Sequence, residues 1–117
     1  SLDGSKWTVT GFNNGRQAVV SPLLQTRLWV QFAQGNVRGH AGCNTFRGTY
    51  TVEGDRIAIG AIAVTRKACT AAGVMQQERE FLAALRSAAT WTIDARGMLD
   101  MHRADGERAL TAGGAFE

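Results

Sequence analysis

A chain of 117 residues fits one domain and can bury roughly two-thirds of its unfolded surface, enough for a real core. Its hydrophobic fraction of 44%, charged fraction of 20% and net charge of +3 are ordinary for a globular protein, and no apolar run is long enough for a transmembrane helix. The arginines are scattered among acids without interleaved aromatics, which argues against nucleic acid as a partner.

One proline and fourteen glycines mean that tight turns are built with glycine. No signal peptide is visible, and the opening at Ser1 reads as the start of a mature or trimmed domain. Residues 6–10 alternate as a first strand, with Trp7 and Val9 on one face. Asn13-Asn14-Gly15 is a turn, residues 17–20 suit a short edge strand, and Pro22 ends it. Residues 26–33 give the clearest strand, with Leu28, Val30 and Phe32 inward and Trp29 and Gln31 outward. Gln34-Gly35-Asn36 then turns the chain into residues 37–50, the stretch around which the rest is organised.

That stretch bends at Gly42-Cys43-Asn44. Glycine and asparagine tolerate positive φ, so both Gly42 and Asn44 suit a sharp reversal. On the way out, Phe46, Gly48, Tyr50 and Val52 alternate with Arg47, Thr49, Thr51 and Glu53. Glu53-Gly54-Asp55 makes a hairpin into residues 56–59, with Ile57 and Ile59 inward. The period changes over 74–89. Val74, Phe81, Leu82, Leu85, Ala88 and Ala89 form one helical stripe, opposite Gln76, Glu80, Ala83 and Arg86. Thr70 or Gly73 suits its N-cap, and Glu78 and Glu80 read as solvated. Strands return over 90–95 with Trp91 and Ile93 together. They continue over 98–103 with Leu99 and Met101 inward, and over 108–111 after Asp105-Gly106. Trp7 and Trp91 take core-like positions, and residues 112–117 are expected to fray. One helix against many antiparallel strands gives an α+β domain spanning 1–117, its sheet curled and its open side plugged by the helix.

Three motifs recur in order. G-x-A-G-C-N-x-F-x-G-x-Y is met by Gly39, Ala41, Gly42, Cys43, Asn44, Phe46, Gly48 and Tyr50. T-x-x-x-C is met by Thr65 and Cys69, and Q-E-x-x-F-L-x-A-L by Gln77, Glu78, Phe81, Leu82, Ala84 and Leu85. In this order they resemble the META domain family, which includes HslJ-like bacterial envelope lipoproteins. The resemblance runs from about Trp7 to the C-terminal hairpin. It departs at Lys67, where relatives often carry Met, so this position is expected to face solvent. It implies a small, partly open antiparallel β-barrel of about seven or eight strands with one helix packed against it. It also implies export to the periplasm or outer-membrane anchoring through an N-terminal lipid outside this sequence, and a link to envelope stress.

Cys43 and Cys69 admit three readings. Each lies in a turn beside a strand end, so a disulfide is sterically open, and it would stabilise by roughly 3–4 kcal/mol. Such a bond implies an oxidising compartment. The second reading is two buried thiols. The third is a metal site drawing on His40, Cys43, Cys69 and His102, of which only His40 and Cys43 stand at ligand spacing. The disulfide is the reading favoured, and neither a metal nor a cofactor is expected.

Catalytic patterns are weak. Ser1, Ser5, Ser21 and Ser87 have no nucleophile-elbow setting, and a Cys43–His40 pair lacks a third group to orient it. No glycine run cradles phosphate. Trp29 points outward from its strand, either packed beneath residues 17–24 or the termini, or forming a patch for a partner. The reading is a non-enzymatic binding or stress-related structural module with a protein partner or an apolar ligand. A carrier of a lipid or acyl chain is the alternative, and a cysteine-dependent enzyme comes third.

Overall fold

The computed structural model describes residues 1–114. Nine strands and one helix follow in the order β1 (Ser5–Asn13), β2 (Val19–Val20), β3 (Leu28–Ala33), β4 (Asn36–Ala41), β5 (Thr45–Glu53), β6 (Arg56–Val64), α1 (Val74–Ser87), β7 (Ala88–Ile93), β8 (Leu99–Arg103) and β9 (Arg108–Gly114). All pairings are antiparallel. β3 to β9 pair in sequence order, and β1 joins β3 on one side and β9 on the other. Eight strands therefore close a barrel, and β2 is an extra ribbon on the far end of β1.

The barrel closes because its strands alternate. Leu28, Val30 and Phe32 on β3, Val37 and Ala41 on β4, and Leu99 and Met101 on β8 are all essentially inaccessible to solvent. α1 fills the interior from one end with Phe81, whose ring meets Phe12 and Phe46 edge-to-face at 6.1 and 6.0 Å. Phe32 and Tyr50 make a further edge-to-face contact at 5.0 Å. The weakest join lies between β6 and β7, whose only register pair is Arg56 with Thr90, supplemented by the Trp91 N–H donating to the Asp55 carbonyl at 2.9 Å.

Several boundaries differ from the sequence expectation. Ala88 is extended (φ −61°, ψ 131°) and begins β7 directly, so Ala88 and Ala89 belong to a strand rather than to the helical stripe. Trp91 is half-buried, and its indole donates to the Gly54 carbonyl at the surface. The edge strand over 17–20 shrinks to two residues because Gln17 adopts φ 66°. Residues 112–114 do not fray. They extend β9 along β1, pairing Ala112 with Val9 and Gly114 with Trp7. The remainder of that tail, 115–117, lies outside the described residues.

β5 and β6 form a long ribbon with a bulge. Gly48 faces Ile62 while Tyr50 faces Ile59, so β6 carries an additional residue there and the ribbon bends. Two glycines permit the close approach. A Cβ on Gly48 would stand 2.7 Å from the Ala61 carbonyl, and one on Gly60 would stand 2.5 Å from the Thr49 hydroxyl.

Candidate functional site

Two regions built on β4 and β5 bear on function. The first is the corner joining the strands. Gly42 has φ +104°, which is what requires glycine, and a Cβ there would also press on Gln77 Nε2 at 2.9 Å. Asn44 does not take the positive φ expected of it; its side chain is what the corner uses. The Asn44 backbone N–H donates to Glu78 Oε1 at 2.6 Å and its Nδ2 to Glu78 Oε2 at 2.8 Å. Nδ2 also donates to the Lys67 carbonyl at 2.9 Å, and Oδ1 accepts from the Lys67 N–H at 2.6 Å and the Thr65 hydroxyl at 2.9 Å. The Asn44 amide thus mimics a strand partner for Lys67 and holds the segment that leads to the helix. Lys67's side chain is exposed.

Glu78 is therefore not the solvated residue the helical pattern suggests. It is 4% exposed, with both oxygens turned onto Asn44. Its neighbour Gln77 is equally buried, accepting from the Leu23 N–H at 2.7 Å and donating to the Thr26 hydroxyl at 3.2 Å. Adjacent residues of α1 so clamp two loops, and the Q-E pair of the third motif acquires a structural meaning. Glu80, by contrast, is only half-buried. Its carboxyl is held below the usual range by the Gln76 hydrogen bond first and by Arg16 beside it.

Cys43 and Cys69 are joined as a disulfide with Cα atoms 6.0 Å apart, closing a loop of 26 residues' separation. Neither sulfur is then available as a thiolate ligand or nucleophile. His40 Nδ1 accepts from the Gly42 N–H at 3.1 Å, and no group of three metal-capable side chains occurs among the described residues. Gly39 and Phe46 complete the motif inside the barrel, where a Cβ on Gly39 would strike the Phe46 ring at 2.7 Å. The corner is a fastening: it ties β4, β5, the 65–69 segment and α1 into one unit.

The second region is the outer face of β3 to β6. Trp29 lies there, flanked by Lys6 Nζ at 4.5 Å from the ring centre and the Arg38 guanidinium at 6.0 Å. Within the 17–24 segment, the Leu23 N–H is held by Gln77, as is the Thr26 hydroxyl just beyond it. Trp29, Arg38, Thr45, Arg47, Ala63 and Thr65 line an open groove of about 500 Å³. A second recess of about 640 Å³, bordered by Val37, Ala61 and Ile62, shares Arg38, Arg47 and Ala63 with it. Only Trp29 of this set stands out in the sequence as a surface feature. The arginines follow from register, because a corner that places His40 opposite Thr45 must place Arg38 opposite Arg47.

A helix-capped antiparallel barrel with a disulfide-fastened corner is thus the class of protein that the fold defines. The META domain model matches residues 1–114, and the chain belongs to that family. Two solved structures share the fold. One is the NMR structure of a protein from Burkholderia xenovorans, 21% identical, with a TM-score of 0.79 over 99% of this chain and 85% of that one. Another protein solved by NMR is 18% identical, with a TM-score of 0.68 over 96% of this chain and 90% of its own. No curated protein matches the chain in sequence.

Proposed function

We propose that this META domain is a non-enzymatic binding module of an exported, envelope-associated protein, and that it binds through the outer face of β3 to β6. One observation carries the reading. The face presents Trp29, Arg38 and Arg47 around an open groove, while the motif residues are consumed in holding the barrel and helix together. Trp29 is half-buried and both arginines are exposed, and aromatic and arginine side chains are the residue types enriched at binding surfaces. The disulfide supports an oxidising compartment, in keeping with export. The stress-related role implied by the family resemblance would be exercised through this same surface.

The test works whatever the ligand is. A photo-crosslinking residue is placed at Ala63, exposed on β6, or at Glu107, exposed in the β8–β9 hairpin, and the protein is irradiated in its native compartment. Adducts are expected from Ala63 and far fewer from Glu107. Equal yields at the two positions would end the reading.

A further inference from the structure

We propose that Arg38 and Arg47 form a site for a phosphate monoester carried on an amphiphile, with the phosphate between the two guanidiniums and the apolar chain laid along Ala61 and Ala63. The inference rests on the outer-face reading above and narrows it to a ligand class.

Register comes first. Arg38 and Arg47 are direct partners on antiparallel neighbours, both exposed, so they project from the same face. Side chains so placed start about 5 Å apart at Cβ, and like charges there repel. No carboxylate pairs with either of them among the described residues. Between Leu28 and Val64 the only acids are Glu53 and Asp55, both at the β5–β6 hairpin. Asp3, the acid nearest the β3–β4 turn in hydrogen-bond terms, is engaged by the Gln34 N–H. Arg38 donates through Nε to Gln31 Oε1 at 2.9 Å, which orients its fork and leaves the terminal nitrogens. Arg47 has no hydrogen-bond or ion-pair partner among the described residues.

Two facing cations call for an anion with two charges. A phosphate monoester carries about −1.5 to −2 at neutral pH and offers three acceptor oxygens. It can take a bidentate contact from each guanidinium, whereas a carboxylate neutralises only one.

The groove supplies the second half of the argument. Its two recesses meet at Arg38, Arg47 and Ala63, so a group held by the arginines sits at their junction. One recess continues past the Trp29 ring and the Thr45 and Thr65 positions, and the other past Val37, Ala61 and Ile62. Long arginines beside small alanines leave an apolar trough, and the β6 bulge bends the ribbon that floors it. A headgroup with a hydrocarbon chain fits that change from polar to apolar along a single line.

The experiment is an NMR titration of the intact disulfide-bonded chain, reading the Trp29 indole N–H, the Arg47 Nε–H and the Ala63 amide. The probes are hexyl phosphate, inorganic phosphate, hexanol and an all-glutamate hexapeptide. Hexyl phosphate should shift all three signals and bind at least about tenfold more tightly than inorganic phosphate, while hexanol shifts none. Arg38→Ala or Arg47→Ala should each weaken it by about tenfold or more, and Arg86→Ala on the exposed side of α1 should leave it unchanged. Equal affinity for inorganic phosphate, tighter binding of the peptide, or indifference to Arg47→Ala would each overturn the proposal. Failure of hexyl phosphate alongside crosslinking at Ala63 removes the ligand class and leaves the surface; failure of both removes the surface.

Discussion

The Asn44 corner and the Arg38–Arg47 face are built on the same two strands and follow opposite rules. At the corner the buried polar side chains are partnered, and the Asn44 amide alone makes four hydrogen bonds. On the outer face two like charges stand opposite one another with no acid between them. A network satisfied to that degree stabilises a unique packing, and it has nothing left to offer a ligand. Uncompensated charge costs stability, so these two arginines add nothing to the fold and remain open to the proposed ligand. The contrast teaches that the most recognisable residues of this chain form its scaffold, while the surface proposed to bind lies where no motif points.

Breaking the scaffold should give the largest effects. Phe81 is fully buried between Phe12 and Phe46, so Phe81→Ala should cost about 3–5 kcal/mol in denaturant unfolding. A loss below about 1 kcal/mol would mean that α1 is not docked in the barrel. Reducing the Cys43–Cys69 bond should come next. Opening a loop of this separation removes about 3–4 kcal/mol in the chain-entropy model, a fall in melting temperature of about 10 °C or more. Thiol titration of denatured, unreduced protein from its native compartment checks the premise, and two free thiols would refute it.

Glu78 sharpens the comparison within the helix itself. Both of its oxygens accept from Asn44, and a glutamine can accept on only one. Glu78→Gln therefore sets an N–H₂ against the Asn44 N–H₂ or backbone N–H and should cost about 1–3 kcal/mol by thermal or denaturant unfolding. Glu80→Gln, two residues on and half-buried at the surface, should stay within about 0.5 kcal/mol. Similar losses at the two positions would show that the corner network does not set the helix position.

How much of this is legible in the sequence follows from physical cause. The antiparallel strands and the helix can be read because they rest on period, whereas the barrel is what the family resemblance implies. Leu28, Val30 and Phe32 alternate, and Phe81, Leu82 and Leu85 recur at helical spacing. The β6 bulge leaves a mark of the same kind, since inward residues Ile57 and Ile59 are followed by Ile62 and Val64, a slip of one position in a two-residue period. Glu78 reads wrongly as solvated although its signal is present. Val74, Gln77, Glu78, Phe81, Leu82 and Leu85 are all buried and fall on one stripe at spacings of three and four. Two polar residues on such a stripe must have partners inside. Those partners, Asn44 and the 23–26 loop, are distant in sequence, so no local pattern names them. Ala88 reads as helical because alanine favours helices, and the pairing of β7 with β8 overrides that preference.

The smallest effect on stability is expected at the outer face, and its sign is the sharpest test of the comparison. Directly opposed like charges on neighbouring strands cost about 0.2–1 kcal/mol. Arg47→Ala should therefore leave stability unchanged or raise it by up to about 1 kcal/mol, the reverse of every scaffold substitution above. Arg38→Ala should do less, because it also gives up the Gln31 hydrogen bond and the position over Trp29. The double variant should gain no more than the better single one, since the repulsion can be removed only once. Salt isolates the cause. At about 1 M NaCl the screening length falls to about 3 Å, so the advantage of Arg47→Ala over the parent chain should shrink while effects common to both cancel. If Arg47→Ala instead lowers stability by more than about 0.5 kcal/mol at low salt, the side chain has a structural partner and the outer face is scaffold like the corner.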